Sequence, residues 1–205
     1  MFQQKSCFRG ETFRFYKVSS NLSSAQMAYP FFTIGHSTRS ISQFVDLLRT
    51  SQVALVVDVR RIPRSRTNPQ FNRETLPDAL AKVQIGYVHL ASLGGLRKGQ
   101  PKAGTSPNLL WENLSFRNYA DYALTSEFAE GLTELRDLGH KQRSAMMCAE
   151  AVWWRCHRRI IADYLICAGE SVFHILGSGR VDQALLTPGA IVQPDGTIIY
   201  PLAGG

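Results

Sequence analysis

The sequence contains no apolar run approaching the roughly 20 residues that a membrane-crossing helix requires, which excludes a helical membrane span. It is also poor in cysteine. Four in 205 residues (Cys7, Cys148, Cys156 and Cys167) are too few and too clustered for a secreted disulfide scaffold, and they point to a reducing cytoplasm. Acidic residues are scarce: 16 Asp and Glu stand against 23 Lys and Arg, for a net charge of +7. That imbalance favours anionic partners such as nucleotides, phosphorylated metabolites or nucleic acid. No internal repeat is present. A content of 44% hydrophobic and 19% charged residues is that of a folded globular chain, long enough for one domain with a full core.

The first 26 residues lack the continuous apolar core of a secretory signal and have no sustained period. They read as a disordered or non-native extension ahead of a natural start at Met27. A flexible basic arm, with Phe8, Phe13, Phe15 and Tyr16 among Arg9, Arg14 and Lys17, is the competing reading. Residues 27–205 then form one domain.

From Phe31 onward, short apolar runs alternate with helical patterns. FFTIGH (31–36), VALVVDV (53–59), YVHL (87–90), SAMMCAE (144–150) and SVFHIL (171–176) read as buried strands. Ser40, with Gln43 three residues on, predicts a capped helix carrying Phe44, Val45, Leu47 and Leu48. Leu76, Leu80 and Val83 mark a short helix. Ser115 and Ser126 are expected caps for two more, the second closed by Gly139, and a last helix is predicted over 154–168. IVQPDGTIIYP resembles a hairpin turning at Asp195-Gly196. Strands apolar on both faces and alternating with helices predict a three-layer α/β/α domain, with a mostly parallel sheet of about five strands and a small C-terminal hairpin.

In such sheets ligands bind beyond the carboxyl ends of the strands. Those ends carry His36-Ser37, Asp58 with Arg60, Gly94-Gly95, Cys148-Ala149-Glu150, and Gly177 to Arg180. Asp58 closes an apolar strand, where a carboxylate is costly without a partner, and Arg60 is that partner. VRRIPRSRTNPQFNR (59–73) holds five arginines and no acid. CAEAVWWRCHR (148–158) packs two thiols, a carboxylate, an imidazole and two guanidinium groups into eleven residues. A thiol between a strand end and a helix start, beside Arg155 and Arg158, can have a lowered pKa and act as a nucleophile. Phosphatase chemistry would need arginine where this chain has Trp154; Arg155 comes one residue late.

A metal reading would pair Cys148 and Glu150 with Cys156 and His157, all residue types that bind zinc or iron. The spacing matches no common structural zinc site. On a helix, Cys156 and His157 would point about 100° apart. Cys156 is then expected to pack inward, and no metal ligand is assigned.

The segments IGHSTRS (34–40), DVRRIPRSRTNPQFN (58–72), YVHLASLGG (87–95), FRNYADYALTSEFAEGL (116–132), CAEAVWWRCHRRIIADYL (148–165) and IIYP (198–201) resemble, in order, the bacterial and archaeal family known as domain of unknown function 488. The resemblance spans about residues 31–202. It would place the family's polar motifs on His36, Ser37, Asp58, Arg60, Pro63, Ser65, Pro69 and Phe71, then on Gly94, Gly95, Cys148, Glu150, Cys156, His157 and Arg158. The family commonly has proline where this chain has Trp153, which offers a stacking surface or bulk instead. The resemblance implies the fold and carries no assigned reaction.

Two main expectations follow. One is an enzyme acting on a small anionic or nucleobase-containing compound, with Cys148 as nucleophile or redox thiol and Glu150 or His157 as proton carrier. Its ligand would meet His36, Ser37, Asp58, Arg60, Arg64, Ser65, Gly94, Gly95 and Arg158, with Phe71, Tyr119 and Trp153 as stacking surfaces. The other is a nucleic-acid-binding protein whose arginine loop contacts phosphates without catalysis. A metal-binding redox module is a third.

Overall fold

The computed structural model describes residues 29–98, 106–177 and 179–202. The expected extension over 1–26 and part of the lysine-bearing stretch after Arg97 lie outside the described residues.

Six strands form one sheet in the order β3-β2-β4-β1-β5-β6. β1 (Phe31–Gly35), β2 (Leu55–Asp58), β3 (Gly86–His89), β4 (Ser144–Cys148) and β5 (Val172–Ile175) are parallel. The sheet has one strand more than the five expected. β6 (Val181–Gln183) adds antiparallel to β5 at the edge, and its short polar VDQ sequence carries no strand pattern. β7 (Ile191–Val192) and β8 (Ile198–Ile199) make the C-terminal hairpin, turned at Asp195-Gly196 as expected, with the Asp195 side chain accepting from the Thr197 amide.

Alternate residues of each central strand feed two separate cores. Phe31, Leu55, Val57 and Met146 face one; Phe32, Ile34, Val56 and Met147 face the other. The first core is covered by α3 (Leu114–Tyr122), α4 (Ser126–Lys141) and α5 (Arg158–Cys167), through Tyr119, Phe128, Leu135 and Ile161. The second is covered by α1 (Ile41–Thr50) and α2 (Leu76–Ala81), through Phe44, Leu48, Leu76 and Leu80. These are the three layers that the doubly apolar strands require.

The capping box at Ser40 and Gln43 is present in both directions, at 3.2 and 3.0 Å. Two other caps sit one or two residues earlier than expected: Asn113 caps α3 in place of Ser115, and Thr125 caps α4 in place of Ser126. Gly139 does not end its helix. It lies within α4, where a side-chain carbon would stand 2.1 Å from the Phe31 ring, so the residue serves the close approach of helix to sheet.

The last helix also starts later than its predicted residue 154. Trp153–Arg155 form a single 3-10 turn, Cys156 is extended (φ −134°, ψ 145°), and α5 begins at Arg158. Past α5 the chain folds back over the first core. Asp163 accepts from the Thr187 amide and the Tyr200 hydroxyl, both at 2.9 Å, while the Tyr200 amide donates to the Asn108 side chain.

Candidate active site

β1 and β4 are adjacent, but the chain leaves them toward opposite faces, to α1 after β1 and to α5 after β4. A crevice opens where neighbouring connections diverge in this way. Here it holds two adjoining clefts, of about 330 and 480 Å³, which share Arg60, Ile62, Ala149 and Glu150. The first is bounded by Gly95, Tyr119, Cys148, Cys156 and His157. The second is bounded by His36, Ser37, Arg64 and Ser65.

The floor of the second cleft is rigid. Asp58 is fully buried and takes both the Nε and an Nη group of Arg60, at 2.8 and 2.6 Å, as well as the Tyr87 hydroxyl at 2.8 Å. Arg60 also donates to the Phe71 carbonyl at 2.6 Å and lies 3.2 Å from His36 Nε2. His36 stacks on Phe71 with ring centres 4.2 Å apart. Its burial pulls the imidazole pKa down to about 4, and the Arg60 charge adds to the shift. The arginine loop is thus closed over its own anchors, with the Ser65 amide donating to Asn72 and the Arg73 amide to Pro63.

In the first cleft a different group forms. Because Cys156 is extended, it does not diverge from His157 as it would on a helix. The two sulfurs of Cys148 and Cys156 and one histidine nitrogen lie within 4.8 Å of one another. His157 Nε2 is 2.9 Å from the Val59 carbonyl, which can only accept, so Nε2 carries the hydrogen. In the neutral ring Nδ1 therefore offers its lone pair, 3.9 Å from the Cys148 sulfur and 3.6 Å from that of Cys156. Gly95 lies against this edge of the ring: a side-chain carbon there would stand 2.8 Å from Nδ1. Gly94 meets the backbone of Arg61 just as closely, at 2.6 Å. The Tyr119 ring packs on His157 at 4.9 Å.

Arg158 is fully buried and donates from Nε to the Cys156 sulfur at 3.2 Å and from an Nη group to the Glu150 carbonyl. Among the described residues it pairs with no carboxylate. The two thiols respond oppositely. The hydrogen bond to Cys156 and burial push Cys148 up. Burial works against charge on Cys156 too, but the bond from Cys148 and the Arg158 charge outweigh it and hold that sulfur well below the ordinary thiol range.

The expected site residues divide accordingly. His36, Ser37, Arg60, Arg64, Ser65, Gly95, Cys148, Glu150 and His157 line one or both clefts. Asp58, Gly94 and Arg158 stand behind the walls as supports. Arg180, between β5 and β6, pairs with Asp182 on the surface and lines neither cleft. Of the expected stacking surfaces, only Tyr119 borders a cleft. Phe71 is covered by His36, and Trp153 stacks on His174 of β5 at 4.2 Å, so its ring packs on the sheet and faces neither cleft. Glu150 is exposed and does not join the sulfur group. Sequence reasoning gave the first cleft no part for Asn113 and Ser115 at the start of α3, for Phe116 as a wall, or for Arg155 as a rim charge. The cap pattern before α3 was the available signal for the first two.

A mostly parallel three-layer α/β domain, with a crevice at the carboxyl edge of its sheet, is the class that fold and site define. Residues 40–165 match the family described as Domain of unknown function DUF488, and the chain belongs to that family. No curated protein and no solved structure matches the chain. Among the described residues no helix is long and apolar enough to cross a membrane.

Proposed function

We propose that the protein is an enzyme acting on a small anionic, ring-bearing compound held in the first cleft, with Cys148, Cys156 and His157 as its reactive group. One observation carries this reading: two cysteine sulfurs and a ring nitrogen of His157 converge at the wall of a cleft of about 330 Å³. A merely structural cluster has no need to face a cavity. The rim supports an anionic ligand, since Arg61 and Arg155 are both exposed there, and Phe116 supplies apolar area for a ring.

Cys148 is the sulfur placed to meet the compound. As its sulfur displaces a leaving group from an electrophilic centre, the Cys148 proton passes to His157 Nδ1, 3.9 Å away, and from there to the departing group. Arg60 takes no direct part, since its charge is already matched by Asp58.

Thermal-shift measurements with nucleoside phosphates and sugar phosphates test the reading. Some of these compounds should raise Tm. Arg155→Ala should weaken binding by about tenfold, the scale of one charge-assisted hydrogen bond. Cys148→Ala should bind the same compounds without converting them. A flat response across the set, or an Arg155→Ala protein that binds like wild type, overturns it. If nucleic acid alone binds, with affinity falling steeply as salt rises, the exposed arginines of loop 60–73 serve phosphate contacts instead.

A further inference from the structure

Resting on the reading of this cleft as the place where a small anion is handled, we infer that Cys148, Cys156 and His157 hold a zinc ion whose fourth position opens toward that anion. Four observations meet here. First, the donor set is two sulfurs and one imidazole nitrogen, with no carboxylate in the group, which suits zinc and disfavours the hard cations that take oxygen. Second, the nitrogen-to-sulfur spacing fits. Tetrahedral bonds of ~2.3 Å to sulfur and ~2.0 Å to nitrogen place those atoms roughly 3.5 Å apart. The Nδ1-to-sulfur separations are 3.6 Å for Cys156 and 3.9 Å for Cys148.

Third, the imidazole is oriented as a metal-binding ring is: Nε2–H donates to the Val59 carbonyl at 2.9 Å, which fixes the ring and leaves Nδ1 for the ion. Fourth, the three donors come from rigid places. Cys148 ends a central strand, Cys156 and His157 precede α5, and Gly95 leaves the Nδ1 edge of the ring uncovered.

The charge count gives the ion its role. Two thiolates offset Zn²⁺, and His157 adds nothing as a neutral ligand. The buried Arg158 guanidinium, donating to the Cys156 sulfur at 3.2 Å, then leaves the centre with one net positive charge. With three protein ligands a fourth, open position remains, the arrangement that distinguishes reactive from structural zinc. Its occupant is water or an anionic group of the compound in the cleft, with Cys148 meeting that compound as a zinc-bound thiolate.

The test uses the full chain without an affinity tag, purified without chelator. Elemental analysis should give one zinc per chain, and X-ray absorption at the zinc edge should show two sulfur neighbours with nitrogen or oxygen completing the shell. Both are read on the wild-type protein, so no variant has to fold. Cobalt exchanged into the site should give a sulfur-to-cobalt charge-transfer band that shifts on adding orthophosphate or AMP. Cys148→Ser and His157→Ala should each lower zinc affinity at least tenfold in competition with a chelator, and Cys167→Ser should leave it unchanged. Gly95→Ala should lower it as well, by crowding Nδ1.

A zinc shell of oxygen and nitrogen alone, a different metal, or no saturable binding overturns the inference. If zinc fails while phosphates still raise Tm, the cleft reading survives and the metal does not. If zinc binds as described but no anionic compound stabilises the protein or moves the cobalt band, the metal stands and the cleft reading falls.

Discussion

Two arginines are buried at the carboxyl edge of the sheet, and they are treated in opposite ways. Arg60 is matched by the Asp58 carboxylate through two hydrogen bonds, capped by the Phe71 carbonyl and set against a neutral His36. Arg158 is more deeply buried, yet it meets a sulfur and a carbonyl in place of a carboxylate. A guanidinium taken out of water needs compensation, and Arg158 finds it in the Cys156 sulfur, whose thiol it helps hold below the ordinary range. The first arginine is spent on holding a loop. The second is hydrogen-bonded to the sulfur group itself. Charge count in the sequence does not separate these cases; pairing does.

The sharpest way to break the comparison is to remove each arginine's support. Asp58→Ala leaves the Arg60 charge buried and unmatched and should cost about 3–5 kcal/mol in urea unfolding. Arg158→Met keeps the volume and removes the charge, so stability should fall by less, about 1–2 kcal/mol, while the Cys156 thiol pKa rises toward its ordinary value. Alkylation rate against pH in metal-stripped protein reads that shift directly. If Arg158→Met costs as much as Asp58→Ala and leaves the alkylation profile unmoved, the two arginines do the same work and the contrast is lost.

A pH series sharpens the scaffold half. Burial depresses both His36 and His174 to about 4, from an ordinary 6.5. The unfolded chain gains these protons first as pH falls, so the contribution is complete above pH 6.5 and is lost progressively toward pH 4. The expected loss over the whole interval is roughly 3 kcal/mol per histidine. His36→Phe, which keeps the stack on Phe71, should flatten its share of that slope. At the bottom of the scale is Arg64, whose contact with Glu74 is 3.7 Å long and exposed on both sides. Arg64→Ala should change stability by less than about 0.5 kcal/mol, as exposed pairs generally do.

Much of the scaffold was legible. Short, largely apolar runs marked β1, β2, β4 and β5, and the Ser40–Gln43 box and the Asp195-Gly196 turn have local chemistry that acts without help from the rest of the chain. β6 was not legible, because its place comes from backbone pairing with β5 and its VDQ sequence has no apolar side to show. The start of α5 was misread for a related reason. No side chain caps it, and the break at Trp153–Arg155 is fixed by Trp153 stacking on His174, a partner in another strand.

That misreading had a chemical cost, since a helix through Cys156 kept the two thiols and the imidazole apart. Strand-end reasoning did bring Cys148, His157 and Gly95 to one cleft. It could not show which arginine would be neutralised, because that depends on which carboxylates the fold leaves nearby.

The family match ends at residue 165, while Tyr200 lies far beyond it, clasped by Asp163 and by Asn108. Asn108 stands just ahead of Trp111, whose ring stacks on Phe116 in the wall of the first cleft. A chain trimmed to residues 40–165 would keep Cys148, Cys156 and His157 but lose β1 and β5 from the sheet, and with them the Tyr200 clasp. Thr187 and Tyr200 line neither cleft, yet through Asp163 and Asn108 they fasten α5 to the segment that leads into Trp111.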